Sequence, residues 1–226
     1  MIARIVENLL YYFKKIKVEN KHLSYNDYIL HQKKKTTDPN RVEKWLNEQW
    51  DEKCDGFAEI FFRNKKYFKE CTNAICLGSR TGQEVKALLD MGIDAIGIDL
   101  VEFPPYTKIG DIHDLQFKPS TFDFVFTNIM DHALYLDKFC SEIERICKNN
   151  GIIMIHITLG DDIDEFSEII VYNPSSIINK FNNVNILSNK KIHNKHDAMD
   201  WEIIMKKKIN YIIGTCLKLI CDNTIY

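Results

Sequence analysis

From residue 73 onward the apolar positions fall into short runs separated by stretches of helical periodicity. Ala74 to Leu77, Ala95 to Ile98, Phe122 to Thr127 and Ile152 to Ile157 are largely apolar runs of strand length, the pattern of strands buried on both faces. Between them, Gln83 to Met91 and Leu134 to Cys147 repeat apolar residues at helical spacing, and Asn149-Asn150-Gly151 reads as a helix stop. This alternation predicts a parallel sheet covered by helices on both sides. The pattern then predicts a strand at Ile169 to Tyr172 and a short helix at Pro174 to Phe181. Two strand-like runs, Val184 to Ser188 and Trp201 to Lys206, are expected to form an antiparallel pair closing the sheet.

Residues 1 to about 70 carry helical periodicity throughout, so the chain divides into an N-terminal helical cap or lid over 1–70 and a main domain over 71–226. The first expected helix, within Ile2 to Ile16, places Ile5, Val6, Leu9, Leu10 and Phe13 on one side and ends in lysines. It packs on the main domain or docks on a membrane surface. Asp38-Pro39 is a helix start, with Asp38 as the cap, and the helix it opens aims Val42, Trp45, Leu46 and Trp50 at a core. The segment Tyr25 to Thr37 contains a run of lysines, ordinarily a solvated face. With its tyrosines, His31 and Gln32, it also suits a lid over a pocket.

Composition narrows the function classes. At 226 residues with 45% hydrophobic and 27% charged side chains, the chain can bury a full core. A net charge of −2 argues against an extensive nucleic-acid surface. Seven cysteines without a Cys-x-x-Cys pair read as reduced thiols of a cytoplasmic protein, outside any disulfide frame or zinc site. No signal peptide is expected, and the run Ile209 to Ile220 is too short to span a bilayer.

The most informative stretch is Asn73-Ala-Ile-Cys-Leu-Gly-Ser-Arg-Thr-Gly-Gln-Glu-Val85. A strand ends in a turn containing Gly78 and Gly82, and a helix opens at once, presenting backbone N–H groups and a positive dipole end to an anionic ligand group. Asp99 ends the next strand at about the spacing of a ribose-binding carboxylate. A nucleoside-containing cofactor is expected here. On this evidence alone it is a nicotinamide dinucleotide or another nucleoside.

Further motifs follow in order: Gly110-Asp-Ile-His-Asp-Leu-Gln-Phe117, Phe122 to Asn128, and the run after Gly151. With the glycine turn and Gly97-Ile-Asp99, this set over about residues 71 to 208 resembles the class I S-adenosylmethionine-dependent methyltransferases. The resemblance implies a Rossmann-like α/β sheet, mostly parallel with an antiparallel last strand, plus the N-terminal helical extension. It implies S-adenosylmethionine as cofactor, with Gly78, Ser79, Arg80 and Gly82 at the turn, Asp99 on the ribose, and Leu100, Asp111 and Ile112 around the adenine. Leu115 would join the apolar contacts, and Asn128 would lie near the transferable methyl. The sequence departs from the family pattern at Cys76, where an acid is usual, and at Arg80, where a glycine is usual. Arg80 either pairs with the cofactor carboxylate or points to solvent.

Methyl transfer from a sulfonium needs positioning and, for some acceptors, a base. His132 and Asp131, at the mouth of the sheet, are the catalytic candidates, against a structural reading in which Asp131 caps a helix and His132 packs. No metal site is assigned. The acidic Thr158 to Glu165 loop with Asp131 is an oxygen-ligand set in principle and a solvated loop by default, and His193 and His196 read as loop residues. The expected acceptor is a small molecule or a sugar hydroxyl. RNA or protein methylation, an inactive binding module of the same fold, and an NAD-dependent oxidoreductase are the alternatives.

Overall fold

The computed structural model describes residues 16–18, 22–161, 164–193 and 199–209. Seven strands form the main sheet: β2 (Asn73–Leu77), β3 (Asp94–Asp99), β4 (Thr107–Ile109), β5 (Phe122–Thr127), β6 (Cys147–Ile157), β8 (Val184–Lys191) and β9 (Trp201–Lys207). Their order across the sheet is β4-β3-β2-β5-β6-β9-β8. All pairings are parallel except those of β9, which runs antiparallel to both β6 and β8. The expected mostly parallel sheet is therefore present, and its antiparallel member is the last strand, inserted between β6 and β8.

The central strands are apolar on both sides because both sides are covered. Successive side chains of a strand point to opposite faces. Cys76, Phe124, Phe126, Ile152 and Met154 meet helices α3 (Trp50–Phe68) and α4 (Gln83–Asp90) on one face. Ile75, Leu77, Val125, Ile153 and Ile155 meet α5 (Leu136–Ile146) on the other. Aromatic pairs lock α3 down: Phe68 stacks on Phe124 with ring centroids 4.5 Å apart, and Phe61 meets Phe126 edge-on at 5.1 Å. Cys76 is fully buried in this layer, and burial pushes its thiol well up, so the residue standing where the family carries an acid is a core thiol.

A second, small sheet pairs β1 (Ile16–Val18) antiparallel with β7 (Ile169–Val171). Helix α1 (Tyr25–Thr37) follows β1, and Asp38 caps α2 (Pro39–Glu43) through its side chain, as the Asp-Pro pair predicts. A short helix α6 (Ser175–Ile178) precedes β8.

Several expectations require correction. The first 70 residues are not helical throughout, since Ile16–Val18 is a strand stabilised by β7; the rest of the expected first helix lies outside the described residues, as do the runs from residue 210 and His196. Trp45 is buried, whereas Leu46 is exposed. The backbone widens into a π-type turn over Lys44–Glu48, which shifts the helical phase and rotates Leu46 outward. Asn149 to Gly151 is not a helix stop: α5 ends at Ile146, and these residues form the start of β6, where the ladder with β5 shifts register and Asn150 adopts φ 65°. Strand β4 was absent from the expected set because its three residues, Thr-Lys-Ile, carry no apolar run.

Candidate active site

The C-terminal ends of β2, β3 and β5 meet where the strand order reverses on either side of β2, the usual place for a ligand crevice in an open α/β sheet. A cavity of about 560 Å³ opens there. Gly78, Arg80, Asp99 and Leu100 line its floor, with Asp111, Ile112 and Asn128 beside them. The volume lies within the ordinary range for small-ligand sites.

Two glycines make the turn after β2 possible. Gly78 has φ +76°, and a Cβ added to it would sit 2.4 Å from Ile129. Gly82 has φ +91°, and its Cβ would strike Tyr106 at 2.4 Å. Gly82 thus serves the turn and the packing of α4 without lining the cavity. Ser79 is likewise fully buried, its Oγ 2.9 Å from Thr107 Oγ1, and does not face the cavity.

Arg80 holds φ 48°, a left-handed conformation costly for a side-chain-bearing residue, in the position where a glycine is usual. Its backbone N–H donates to Asp99 Oδ2 at 2.9 Å, and its guanidinium lies 5.1 Å from the Trp45 ring centroid. Burial pushes the Asp99 carboxyl up, opposed by the N–H groups of Arg80, Leu100 and Val101 and by the Arg80 charge.

Asp111 is held by its surroundings: Tyr25 Oη donates to Oδ2 at 2.5 Å and the His113 N–H donates to Oδ1 at 2.8 Å. Burial works against ionisation, but the bonds from His113 and Tyr25 outweigh it and hold the carboxyl at about 2. Leu115 belongs to the core and does not join Leu100 and Ile112 at the cavity wall.

The opposite wall comes from α1, through Tyr28, Gln32, Lys35 and Thr36. Lysine 35 is therefore not part of a solvated face. Burial lowers its pKa, against the pull of Asp164, its ion-pair partner. More contacts fasten α1 and α2 to the loop before β7: Gln32 donates to Phe166 O at 2.7 Å, and Arg41 pairs with Glu165 at 2.9 Å. The acids Asp164 and Glu165 thus act as counter-charges to the helices, which displaces the oxygen-ligand metal reading for this loop; Asp162 lies outside the described residues.

His132 lines the same cavity from the 3₁₀ turn after β5. Its Nδ1–H donates to Phe166 O at 3.0 Å, leaving Nε2 to accept from Lys35 Nζ at 3.3 Å. Asp131 does not line the cavity and caps no helix; it accepts from Ser167 Oγ at 2.6 Å, with Oδ2 3.7 Å from His132 Nε2. Tyr28, Lys35 and Thr36, from the segment read as a solvated face or a lid, also line the cavity, as do Lys53 and Met199; none of the five was named as a site residue, because their approach depends on contacts between distant segments.

Residues 75–155 match the family model described as a methyltransferase domain. No curated protein matches the chain by sequence. Among solved structures, 1,6-didemethyltoxoflavin-N1-methyltransferase of Burkholderia thailandensis, with bound 1,6-didemethyltoxoflavin and S-adenosylhomocysteine, aligns with TM-score 0.64 and 12% identity over 86% of this chain and 95% of that one. The PH0226 protein of Pyrococcus horikoshii aligns with TM-score 0.57 and 16% identity over 72% and 93%. A complex between the Haloferax volcanii Trm112 methyltransferase activator and the putative methyltransferase contains a chain aligning at 0.51 and 13% over 72% and 98%. At these identities the structural likeness speaks for the fold. The matching domain model makes residues 75–155 a methyltransferase domain, and the fold around it is the Rossmann-like one that the resemblance to S-adenosylmethionine-dependent methyltransferases implies. No helix among the described residues is long and apolar enough to cross a membrane.

The residues present suit that cofactor. Gly78 provides a backbone surface without a side chain at the floor, and Asp99 ends β3 with an acceptor suited to a diol. Asp111 retains lone pairs beyond those engaged by Tyr25 and His113.

Proposed function

We propose that this methyltransferase acts on a hydroxyl of a small molecule or sugar unit, bound between the cofactor floor and α1. The observation that carries this reading is the setting of His132, a cavity-lining residue: its Nδ1 proton is fixed on a backbone carbonyl while Nε2 meets Lys35, which lines the same cavity. A histidine held in that tautomer is arranged to accept a proton through the other nitrogen.

In this reading Asp99 receives the ribose hydroxyls, Leu100, Asp111 and Ile112 surround the adenine, and Gly78, Arg80 and Asn128 lie along the amino-acid end. When bound, the cofactor supplies an electrophilic methyl group on a sulfonium. The acceptor hydroxyl takes the place of the Lys35 donor at His132 Nε2, and His132 removes its proton. Asp131, whose Oδ2 lies 3.7 Å from Nε2, stabilises the resulting imidazolium, while the Lys35 ammonium offsets negative charge on the acceptor oxygen. Lys35, Lys53 and Arg80 give the cavity a cationic rim, favouring an acceptor that also carries a negative group. Helix α1, within the N-terminal segment 1–70, acts as the lid of a domain spanning 71–226. The cysteine usage of the sequence fits a cytoplasmic setting.

The test is methyl-labelled cofactor incubated with cell extract and either the native protein or His132→Ala, followed by separation of small molecules, RNA and protein. Label should enter the small-molecule pool, and His132→Ala should slow that transfer by about 10²- to 10⁴-fold with cofactor affinity unchanged. Label accumulating in RNA or protein would overturn the acceptor assignment, and undiminished transfer by His132→Ala would remove the base.

A further inference from the structure

Away from the cavity floor, His22, His31 and Glu168 converge from three places in the chain: the segment before α1, α1 itself, and the residue before β7. One potential ligand atom from each lies within 4.8 Å of the others. His22 Nε2–H donates to Glu168 Oε1 at 2.8 Å, and Gln32 Nε2 donates to the same oxygen at 2.9 Å. The Glu168 side chain is 1% exposed, and among the described residues its second oxygen, Oε2, is buried with no hydrogen-bond partner. A buried carboxylate oxygen without a partner carries a large desolvation cost that a cation would relieve.

We propose that His22, His31 and Glu168 bind one divalent transition-metal ion of the zinc class. Two imidazoles and one carboxylate form a borderline donor set suited to zinc and poorly matched to magnesium or calcium. Ligand atoms around tetrahedral zinc lie about 3 to 3.5 Å apart, given metal–ligand distances near 2 Å, so side-chain rotations close the remaining gap. The proton that now joins His22 to Glu168 stands where an ion binding both would take over. Gln32 then fills the outer role, since its amide orients the carboxylate while its own side chain lines the cavity. The ion would staple the start of the cavity's upper wall to the main domain. It would bind there whatever the acceptor is, and its test needs no turnover.

The experiment uses the full chain freed of metals with a chelator and titrated calorimetrically with zinc chloride, then with magnesium chloride. One zinc ion per chain should bind, raising Tm by about 5 to 10 °C at a hundredfold excess over Kd, whereas magnesium should not compete. Glu168→Gln keeps the side-chain shape, and His31→Ala alters a residue that is only partly buried; each should weaken zinc binding at least tenfold. If Glu168→Gln proves unfolded, His31→Ala decides alone, together with cobalt substitution, whose visible absorption should show a four-coordinate ion in the native chain and lose that signature in the variant. Absence of stoichiometric zinc binding, or zinc binding equally tight in His31→Ala, would overturn the proposal and return the trio to an ordinary ion pair.

Discussion

Asp99 and Lys35 face the same cavity but are held there by different physics. On the floor, Asp99 ends a sheet strand, is almost fully buried, and is fixed by the backbone N–H of a turn that glycines shape. Across from it, Lys35 projects from α1, which with α2 is fastened by the buried Tyr28, by ring contacts and by side-chain bonds: Lys35 to Asp164, Arg41 to Glu165, Gln32 to Phe166 and Tyr25 to Asp111. Several of these groups are partly exposed, and exposed ion pairs contribute at most about 1 kcal/mol each. In the proposed reading the floor sets the cofactor geometry once, with the fold, while the roof can be exchanged or opened without unmaking the sheet.

Substitutions can break this contrast if it is false. Asp99→Ala should produce the largest effect, weakening S-adenosylmethionine binding by on the order of 10²-fold or more in a calorimetric titration, because two hydrogen bonds to a charged acceptor are lost. A loss below threefold would mean that the floor does not hold the ribose. Lys35→Met should leave cofactor affinity within about twofold and raise the acceptor KM by roughly tenfold, the signature of an exchangeable wall. Equal damage to both affinities would erase the distinction.

Acid offers a smaller probe. The Asp111 carboxyl is depressed from 3.8 to about 2 in the folded state, so its bonds to His113 and Tyr25 stabilise the fold fully above 3.8 and are lost as pH falls towards about 2. Tm should drop by a few degrees more across that window in the native chain than in Tyr25→Phe, which lacks the bond from the roof. Arg80→Gly should change least. Glycine relieves the left-handed backbone but forfeits the contact with Trp45, two effects of about 1 kcal/mol and opposite sign. Thermal melting should find the variant within about 1 kcal/mol of the native chain. Arg80 sharpens the comparison because its backbone belongs to the floor and its side chain reaches towards the π-type turn that carries Trp45.

The two regions also differ in how far the sequence disclosed them. The floor was legible because each part is local: an apolar run makes a strand, a glycine permits a turn, and an acid at a strand end faces the crevice. Gly78, Arg80, Asp99, Leu100, Asp111, Ile112 and Asn128 all line the cavity for that reason. Ser79 and Gly82 shared the motif but face inward, a distinction that spacing does not encode. Asn150 shows a different failure, since the signal for a positive φ was genuine, yet it marks an irregular start to β6 in place of a helix end. Of the roof, the tyrosines, His31 and Gln32 suggested a lid as one of two readings, but its contacts were illegible. Tyr25 finds Asp111 across 86 positions, and Lys35 finds His132 across 97, pairings for which no periodicity or motif gives notice.

That separation along the chain has a consequence for assembly. His22 meets Glu168 across 146 positions, and β1 has no partner until β7 exists. During synthesis the first segments of the roof leave the ribosome long before the loop that secures them. They must wait through the making of β2 to β6, and contacts closed over so long a stretch form late. The roof comes first in the chain and docks after most of the floor has been made, so a lesion in the loop from Asp164 to Val171 would strand the N-terminal segment while sparing the strands that carry Asp99.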